Sequence, residues 1–383
     1  MGGQRVEVVT FDPVSVGYSH AMFNAAIVRA LGVAANVDGI HLLLEKSALE
    51  STAFRGLTAL PKVKACRALP EGSLGHGRWA EMKRSVVCHA QMFRAVSRRR
   101  SIVCLHLAAD NLMSPLSLLL GTVVRGGCAC VILHNNAHRI KASRAARLLW
   151  GAVFRSGVRP IVLAQSVHEF YDRLYPRVRF NLIPHPSYAE VGGPGEANVR
   201  EPERRFLFLG RHGRSSATVE FLGRFISACS AARDGDPMTI VAERSVASQV
   251  ADMAGGAGIG LRMYDWPAEH DDYYGMLRKA RFVVFPPHAS DRITASGVHA
   301  DATSCCVPVI APTRGVFREN VPDSGARLLY DDVQSDLHDV VASAVGMSAA
   351  AYQELRSDVA DVRRRCDTVR TAERLNGLLT AVG

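Results

Sequence analysis

The chain has 383 residues, 48% hydrophobic and 21% charged, with a formal net charge of +10. That length suits two domains, and that balance excludes a chain dominated by disorder. The charge is uneven, with 24 Lys and Arg against 10 Asp and Glu in residues 1–186, and 22 against 26 in the remainder. A basic first half fits an anionic membrane surface or a polyanionic substrate. Nucleic acid is not expected, because no DNA- or RNA-recognition motif accompanies the charge. The nine cysteines include no Cys-x-x-Cys pair, which excludes a zinc ribbon and points to a reducing, cytoplasmic setting. The first residues lack the apolar core of a signal peptide. The most apolar long window, 102–124, is interrupted by His106, Asp110, Asn111 and Pro115, so it reads as strand, loop and helix, not a bilayer span.

Taken in chain order, Val6–Phe11 is a β-branched run suited to a buried parallel strand. A loop containing Pro13 and Gly17 leads to an Ala-rich helix, His20–Leu31, and then a strand, Gly39–Leu44. The stretch up to Gly77 gives no clear period. Residues 79–97 read as a helix with a basic face of Lys83, Arg84, Arg94 and Arg98. Strand Ile102–Leu107, helix 112–124, strand Ala129–Leu133, helix Ala142–Phe154 and strands Pro160–Ala164 and Arg179–Ile183 follow. The segment Ala189–Glu203, rich in Gly, Pro and Glu without apolar periodicity, reads as a linker. A second alternating series begins with strand Arg205–Leu209. It continues as helix 215–231, strand Met238–Ala242, helix 245–254, strand 260–264, helix 270–280, strand 281–285, helix 298–305, strand 307–311 and strand Ala326–Tyr330. Helices 332–345 and 349–379 complete the chain. Alternation of this kind predicts an α/β fold of two Rossmann-like, doubly wound domains, with ligands at strand carboxyl ends in the cleft they face across. The expected division is 1–188, linker 189–203, 204–348, and C-terminal helices 349–383 as candidates to cross back to the first domain.

Residues 281–317 are the most informative part. An apolar strand ends at Pro286-Pro287; a polar loop and the small residues Ser296-Gly297-Val298 lead straight into a helix. Free backbone amides and the positive helix end would converge there, which suits a diphosphate, and Gly297 also permits positive φ. Asp301 lies one turn further on, where a carboxylate would accept from ribose hydroxyls. Arg211 and Arg214 follow the first strand of the second series, where guanidinium groups would grip a diphosphate. His134 ends a strand of the first domain, and Gly17 and His20 lie in its first loop. His185 in Ile183-Pro184-His185 shapes the turn into the linker. Trp266 would stack on a base or serve as a packed loop aromatic. No Asp-x-Asp occurs in a loop suited to a metal, Asp271-Asp272 reading as a helix start, so no metal is expected.

Phe206-Leu207-Phe208-Leu209-Gly210-Arg211, Tyr274…Leu277…Ala280-Arg281-Phe282 and Ser296-Gly297-Val298…Asp301-Ala302…Pro308-Val309-Ile310 occur in an order and spacing that resembles the C-terminal domain of retaining GT-B glycosyltransferases. The resemblance spans about 125 residues, 205–330, and its Ser-Gly-Val…Asp-Ala version looks like a subgroup common among transferases of bacterial polysaccharide assembly. It implies transfer of a hexose, with retention, from a nucleoside-diphosphate sugar to a saccharide or lipid-linked saccharide, without metal or other cofactor. Arg211 and Arg214 would neutralise the leaving diphosphate, Gly210 and the turn at Ser296–Val298 would cradle it, Asp301 would hold the ribose, and His134 the transferred sugar or acceptor. Two positions depart from the pattern. The first of the family's two acidic residues is here Ile293, with Asp291 nearby, and Arg214 stands where a lysine is usual. A sugar-nucleotide epimerase or hydrolase on the same scaffold, or a catalytically degenerate binding subunit, are the alternatives. The basic first half adds an expectation of peripheral attachment to the inner face of the cell membrane.

Overall fold

The computed structural model describes residues 5–13, 20–71, 78–96, 102–108, 113–125, 129–134, 136–188, 205–209, 216–233, 235–265, 270–288, 293 and 295–380. They form two compact units. One comprises Met1–Tyr188 with Ile293–Ala295 and Cys366–Gly383, the other Ala189–Arg292 with Ser296–Arg365. The expected linker, 189–203, lies outside the described residues.

The first unit runs β1 (Val6–Phe11), α1 (Ala21–Val33), β2 (Val37–Glu45), α2 (Lys46–Glu50), β3 (Val63–Leu69), α3 (Arg78–Val96), β4 (Ile102–His106), α4 (Met113–Arg125), β5 (Ala129–Leu133), α5 (Asn136–Ala142), α6 (Arg144–Arg155), β6 (Arg159–Val162), α7 (Gln165–Leu174) and β7 (Asn181–Leu182). The second runs β8 (Arg205–Leu207), α8 (Ser216–Ala232), β9 (Thr239–Glu243), α9 (Arg244–Ala247), α10 (Ala251–Gly256), β10 (Gly260–Tyr264), α11 (His270–Lys279), β11 (Phe282–Val284), α12 (Gly297–Ser304), β12 (Val309–Pro312), α13 (Val316–Asn320), β13 (Leu329–Tyr330), α14 (Leu337–Val345) and α15 (Ala349–Arg365). The last helix, α16 (Thr368–Thr380), returns to the first unit.

The strand orders are β3-β2-β1-β4-β5-β6-β7 and β10-β9-β8-β11-β12-β13. The pairings are parallel throughout. The central strands are β-branched and buried on both faces, as helices on each side of a parallel sheet require. The edge strand β3 was not legible in the sequence. Residues 64–68 of its Val-Lys-Ala-Cys-Arg-Ala-Leu are exposed, so no apolar period marks it. The expected helix Ala142–Phe154 is two helices, because Ser143 leaves the helical region and its Oγ accepts the Ala146 N–H to cap α6. The expected helix 245–254 is likewise broken, at Ser248–Val250. Most of the expected strand Ala326–Tyr330 is a 3-10 turn, Asp323–Leu328.

The second unit's core is aromatic, with Phe206 stacked on Phe282 and Phe225 edge-on to both Phe206 and Phe208. The Tyr352 hydroxyl donates to the Arg281 carbonyl at 2.9 Å, and the Arg281 guanidinium donates to the Met347 carbonyl, fixing α15 to the start of β11. After α15 the chain breaks at Cys366-Asp367. There the Asp367 carboxylate accepts the Arg370 N–H and starts α16, so 349–379 is not one helix. α16 packs on α1, whose sides are almost all buried. Asn376 Oδ1 accepts the Asn36 N–H, and the Leu378 carbonyl accepts from Arg159, both at 2.8 Å.

α3 departs from the expected orientation. Arg84 does not join the basic face but points inward, donating to the buried Glu45 carboxylate at 2.7 Å. Cys88 and Met92 pack beside it against Val9, Phe11 and Cys104. Deep in the same layer, the His106 and His89 rings each meet Phe11 edge-on at 5.1 Å. Burial, helped by the proximity of His89, pushes the His106 imidazole down to about 3. Burial also lowers His89, against the bond from its ring to the Ser85 carbonyl.

Two outcomes follow from this layer. Arg84→Ala leaves a buried carboxylate without its cation and should lower the unfolding free energy by about 3–5 kcal/mol in urea titration. The folded pKa of His106 is depressed, so its contribution to stability is full above the ordinary pKa near 6.5 and is lost as pH falls toward 3. Thermal unfolding should therefore drop between pH 6 and pH 4, and His106→Phe should reduce the drop.

Candidate functional site

In a parallel sheet all carboxyl ends lie on one edge, and each unit gathers polar groups there. In the second unit β8 and β11 are neighbours, so the segments that follow them leave the sheet side by side. The segment after β11 reaches α12. Ser296 is extended (φ −92°, ψ 116°) and caps the helix, its Oγ accepting the His299 N–H at 3.2 Å. The Ala300 N–H closes the first intrahelical bond to the Ser296 carbonyl. The remaining first-turn donors, the amides of Gly297 and Val298, have no hydrogen-bond partner among the described residues. Gly297 is helical and not at positive φ, which corrects the expected reason for a glycine there. A Cβ built on it meets nothing within 4 Å among the described residues, so packing against them does not demand glycine either.

Asp301 is half-buried, one turn into α12. The Tyr273 hydroxyl donates to one carboxylate oxygen at 2.6 Å, and the Tyr274 hydroxyl to the other at 2.8 Å. Burial raises its pKa to about 6, against the two phenols, which favour the charged form. The tyrosines come from α11 and fix the carboxylate plane while leaving each oxygen further acceptor capacity. Tyr273 was missed in the sequence, where only Tyr274 belonged to a motif. Ile293, at the position of the family's first acidic residue, is buried with 8% of its surface exposed.

In the first unit Asp12 follows β1, Leu107 follows β4, His134 follows β5, and His185 lies just past β7. Asp12 is fully buried; it accepts from Asn24 Nδ2 at 2.8 Å and faces His20 Nδ1 at 3.4 Å. The His20 ring stacks on His134, with centroids 5.2 Å apart and planes 12° from parallel. His134 Nε2–H donates to the Leu107 carbonyl at 2.9 Å, which leaves Nδ1 as an acceptor. Burial foremost, then His20 and His185, holds His134 well below its ordinary pKa, so it is a neutral imidazole. His185 donates to the Pro186 carbonyl and meets Phe23 edge-on at 5.0 Å. Burial brings its pKa to about 4. The chemistry available here is an oriented neutral base and hydroxyl acceptor. His134 was legible as a strand-end residue; the pairing of Asp12 and Asn24 with His20 was not.

Gly17, Gly210, Arg211, Arg214 and Trp266, and also Asp291, lie outside the described residues. The structure therefore brings together only Ser296, Gly297, Val298 and Asp301 of the second unit's expected site. The chain does contain one Asp-x-Asp, Asp234-Gly235-Asp236. It precedes β9, at the amino edge of the sheet, and Asp234 is outside the described residues. Among the described residues no cluster of three His, Cys, Asp or Glu could hold a metal ion.

No protein-family model matches this sequence, and no curated protein matches it. Solved structures match the fold. HepE of Anabaena, in a crystal structure with UDP and glucose, is 13% identical, over 98% of this chain and 100% of that one, with a TM-score of 0.64. WaaG, a glycosyltransferase involved in lipopolysaccharide biosynthesis, is 12% identical over 98% and 100%, with a TM-score of 0.54. A Listeria monocytogenes protein assigned as a UDP-N-acetylglucosamine 2-epimerase is 12% identical over 98% and 95%, with a TM-score of 0.57. At such identities the likeness is one of fold. This chain has the GT-B fold, built from two Rossmann-like parallel α/β units.

Proposed function

We propose that this chain transfers a hexose from a nucleoside-diphosphate sugar to a saccharide or lipid-linked saccharide acceptor. The observation that carries this reading is the start of α12. A capped helix there offers the Gly297 and Val298 amides at the carboxyl edge of a Rossmann-like sheet, with an oriented carboxylate at Asp301 one turn further. The donor diphosphate sits at those amides, and Asp301, at neutral pH mostly ionised, accepts from the ribose. Arg211 and Arg214 follow β8, the strand beside β11, and add cationic charge as the leaving diphosphate becomes more negative. Trp266 contacts the base, and Gly210 and Gly17 keep the backbone open to phosphate. In the first unit His134 accepts from a sugar hydroxyl through Nδ1. Retention of configuration and independence from metal or other cofactors follow from the family resemblance and complete the proposal.

One observation favours a second reading, an epimerase. Such an enzyme needs an acid–base group, and His20 beside buried Asp12 supplies one. Incubation with a panel of nucleoside-diphosphate sugars separates the two. Transfer requires an acceptor, whereas an epimer or free sugar formed without one supports the second reading. Absence of binding by calorimetry would instead favour a degenerate, non-catalytic subunit.

Two variants test the site. Gly297→Ala adds a methyl group where the described residues leave room, so its melting temperature should hold or rise slightly, while donor affinity falls about tenfold from crowding of the diphosphate. Arg211→Ala should lower transfer of radiolabelled sugar by about 100-fold. Unchanged transfer removes Arg211 from the mechanism.

A further inference from the structure

A row of large apolar side chains faces solvent along α3. Trp79 is 74% exposed, and Met82, Val86 and Val87 are exposed after it at helical spacing. An amphipathic surface helix turns its apolar stripe inward. Here the buried Arg84–Glu45 pair holds an arginine inside and leaves the apolar stripe outside. Right-handed crossovers place α3, α4 and α6 on the same face of the first sheet. α4 packs beside α3 and α6 beside α4, and α4 adds the exposed Leu116 and Leu120. Single exposed leucines need no explanation, but a contiguous row does.

Charge indicates what covers it. Residues 78–159, which supply this helical layer, hold 14 Lys and Arg against 2 Asp and Glu. Their excess of +12 is larger than the net +10 of the whole chain. Lys83, Arg94, Arg144 and Arg155 of the layer are exposed. A second copy docking by the same face would set two such excesses against each other. Apolar side chains rimmed by Lys and Arg match a bilayer interface, where the former enter the acyl boundary and the latter meet anionic head groups. Among the described residues no helix is long and apolar enough to span a membrane. We propose that the α3–α4 face docks on an anionic lipid bilayer as a peripheral contact, with Trp79 at head-group depth. This does not depend on the sugar-transfer reading.

The test uses the full chain with vesicles of equal parts phosphatidylglycerol and phosphatidylcholine, and with phosphatidylcholine alone. Binding to the anionic vesicles is expected, about tenfold or more above the neutral ones and weakening with salt. Tryptophan emission should shift to the blue on binding, and Trp79→Phe should remove most of the shift, because Trp150 is already buried and Trp266 belongs to the second unit. The double variant Val86→Asp, Val87→Asp alters exposed positions only. It should keep its circular-dichroism melt and lose about tenfold or more in vesicle affinity. Equal binding to both vesicle types, undiminished binding by the double variant, or no vesicle binding, with or without a dimer that the variant dissociates, would each overturn the proposal.

Discussion

The constraint on which this molecule depends is the uniform direction of its strands. Parallel strands must be buried on both faces, so helices occupy both sides and the only place for polar chemistry within each unit is the strand ends. Asp12, Leu107, His134 and His185 all come from such ends, although they lie more than 170 residues apart at the extremes. The segments after β8 and β11 share an edge because those two strands are hydrogen-bonded neighbours. Catalytic potential here is a by-product of sheet packing before it is a matter of any single residue.

Burial then decides the character of the groups collected there. Desolvation raises the Asp301 carboxyl and depresses His134 and His185, and in each case the hydrogen bonds made by the group oppose it without prevailing. The α12 amides differ, because Gly297 at the helix start is exposed; there direct hydrogen bonds and the positive helix end would act on an anion. The first unit offers neutral imidazoles and the second a helix start whose Gly297 and Val298 amides have no partner among the described residues. That division suits a hydroxyl-bearing ligand on one unit and a phosphate-bearing ligand on the other.

Much of this was legible in the sequence, because buried parallel strands announce themselves. Val6–Phe11 and Ala129–Leu133 have the bounds that the apolar runs suggest. Ser296 caps the helix that its small-residue turn led one to expect. What stayed hidden depended on neighbours remote in the chain. The exposed edge strand β3 has no apolar period, and pairing with β2 makes it a strand. Arg84 looked like one more cation on a basic helix face until Glu45 drew it inward. The Tyr273 and Tyr274 bonds to Asp301 join two helices about 27 residues apart, and no local rule connects them. Helix breaks at Ser143 and Asp367 were readable in principle from their capping chemistry, but strong apolar periodicity on both sides masked them.

The return of α16 to the first unit has a consequence for biosynthesis. α1 ends at Val33, yet the helix that covers it spans Thr368–Thr380, made long afterwards. A nascent chain leaving the ribosome can complete the second unit's core, up to α15, while the first still shows an uncovered apolar helix. Contacts of such long sequence separation form slowly, so the unit translated earlier of the two is the later to close.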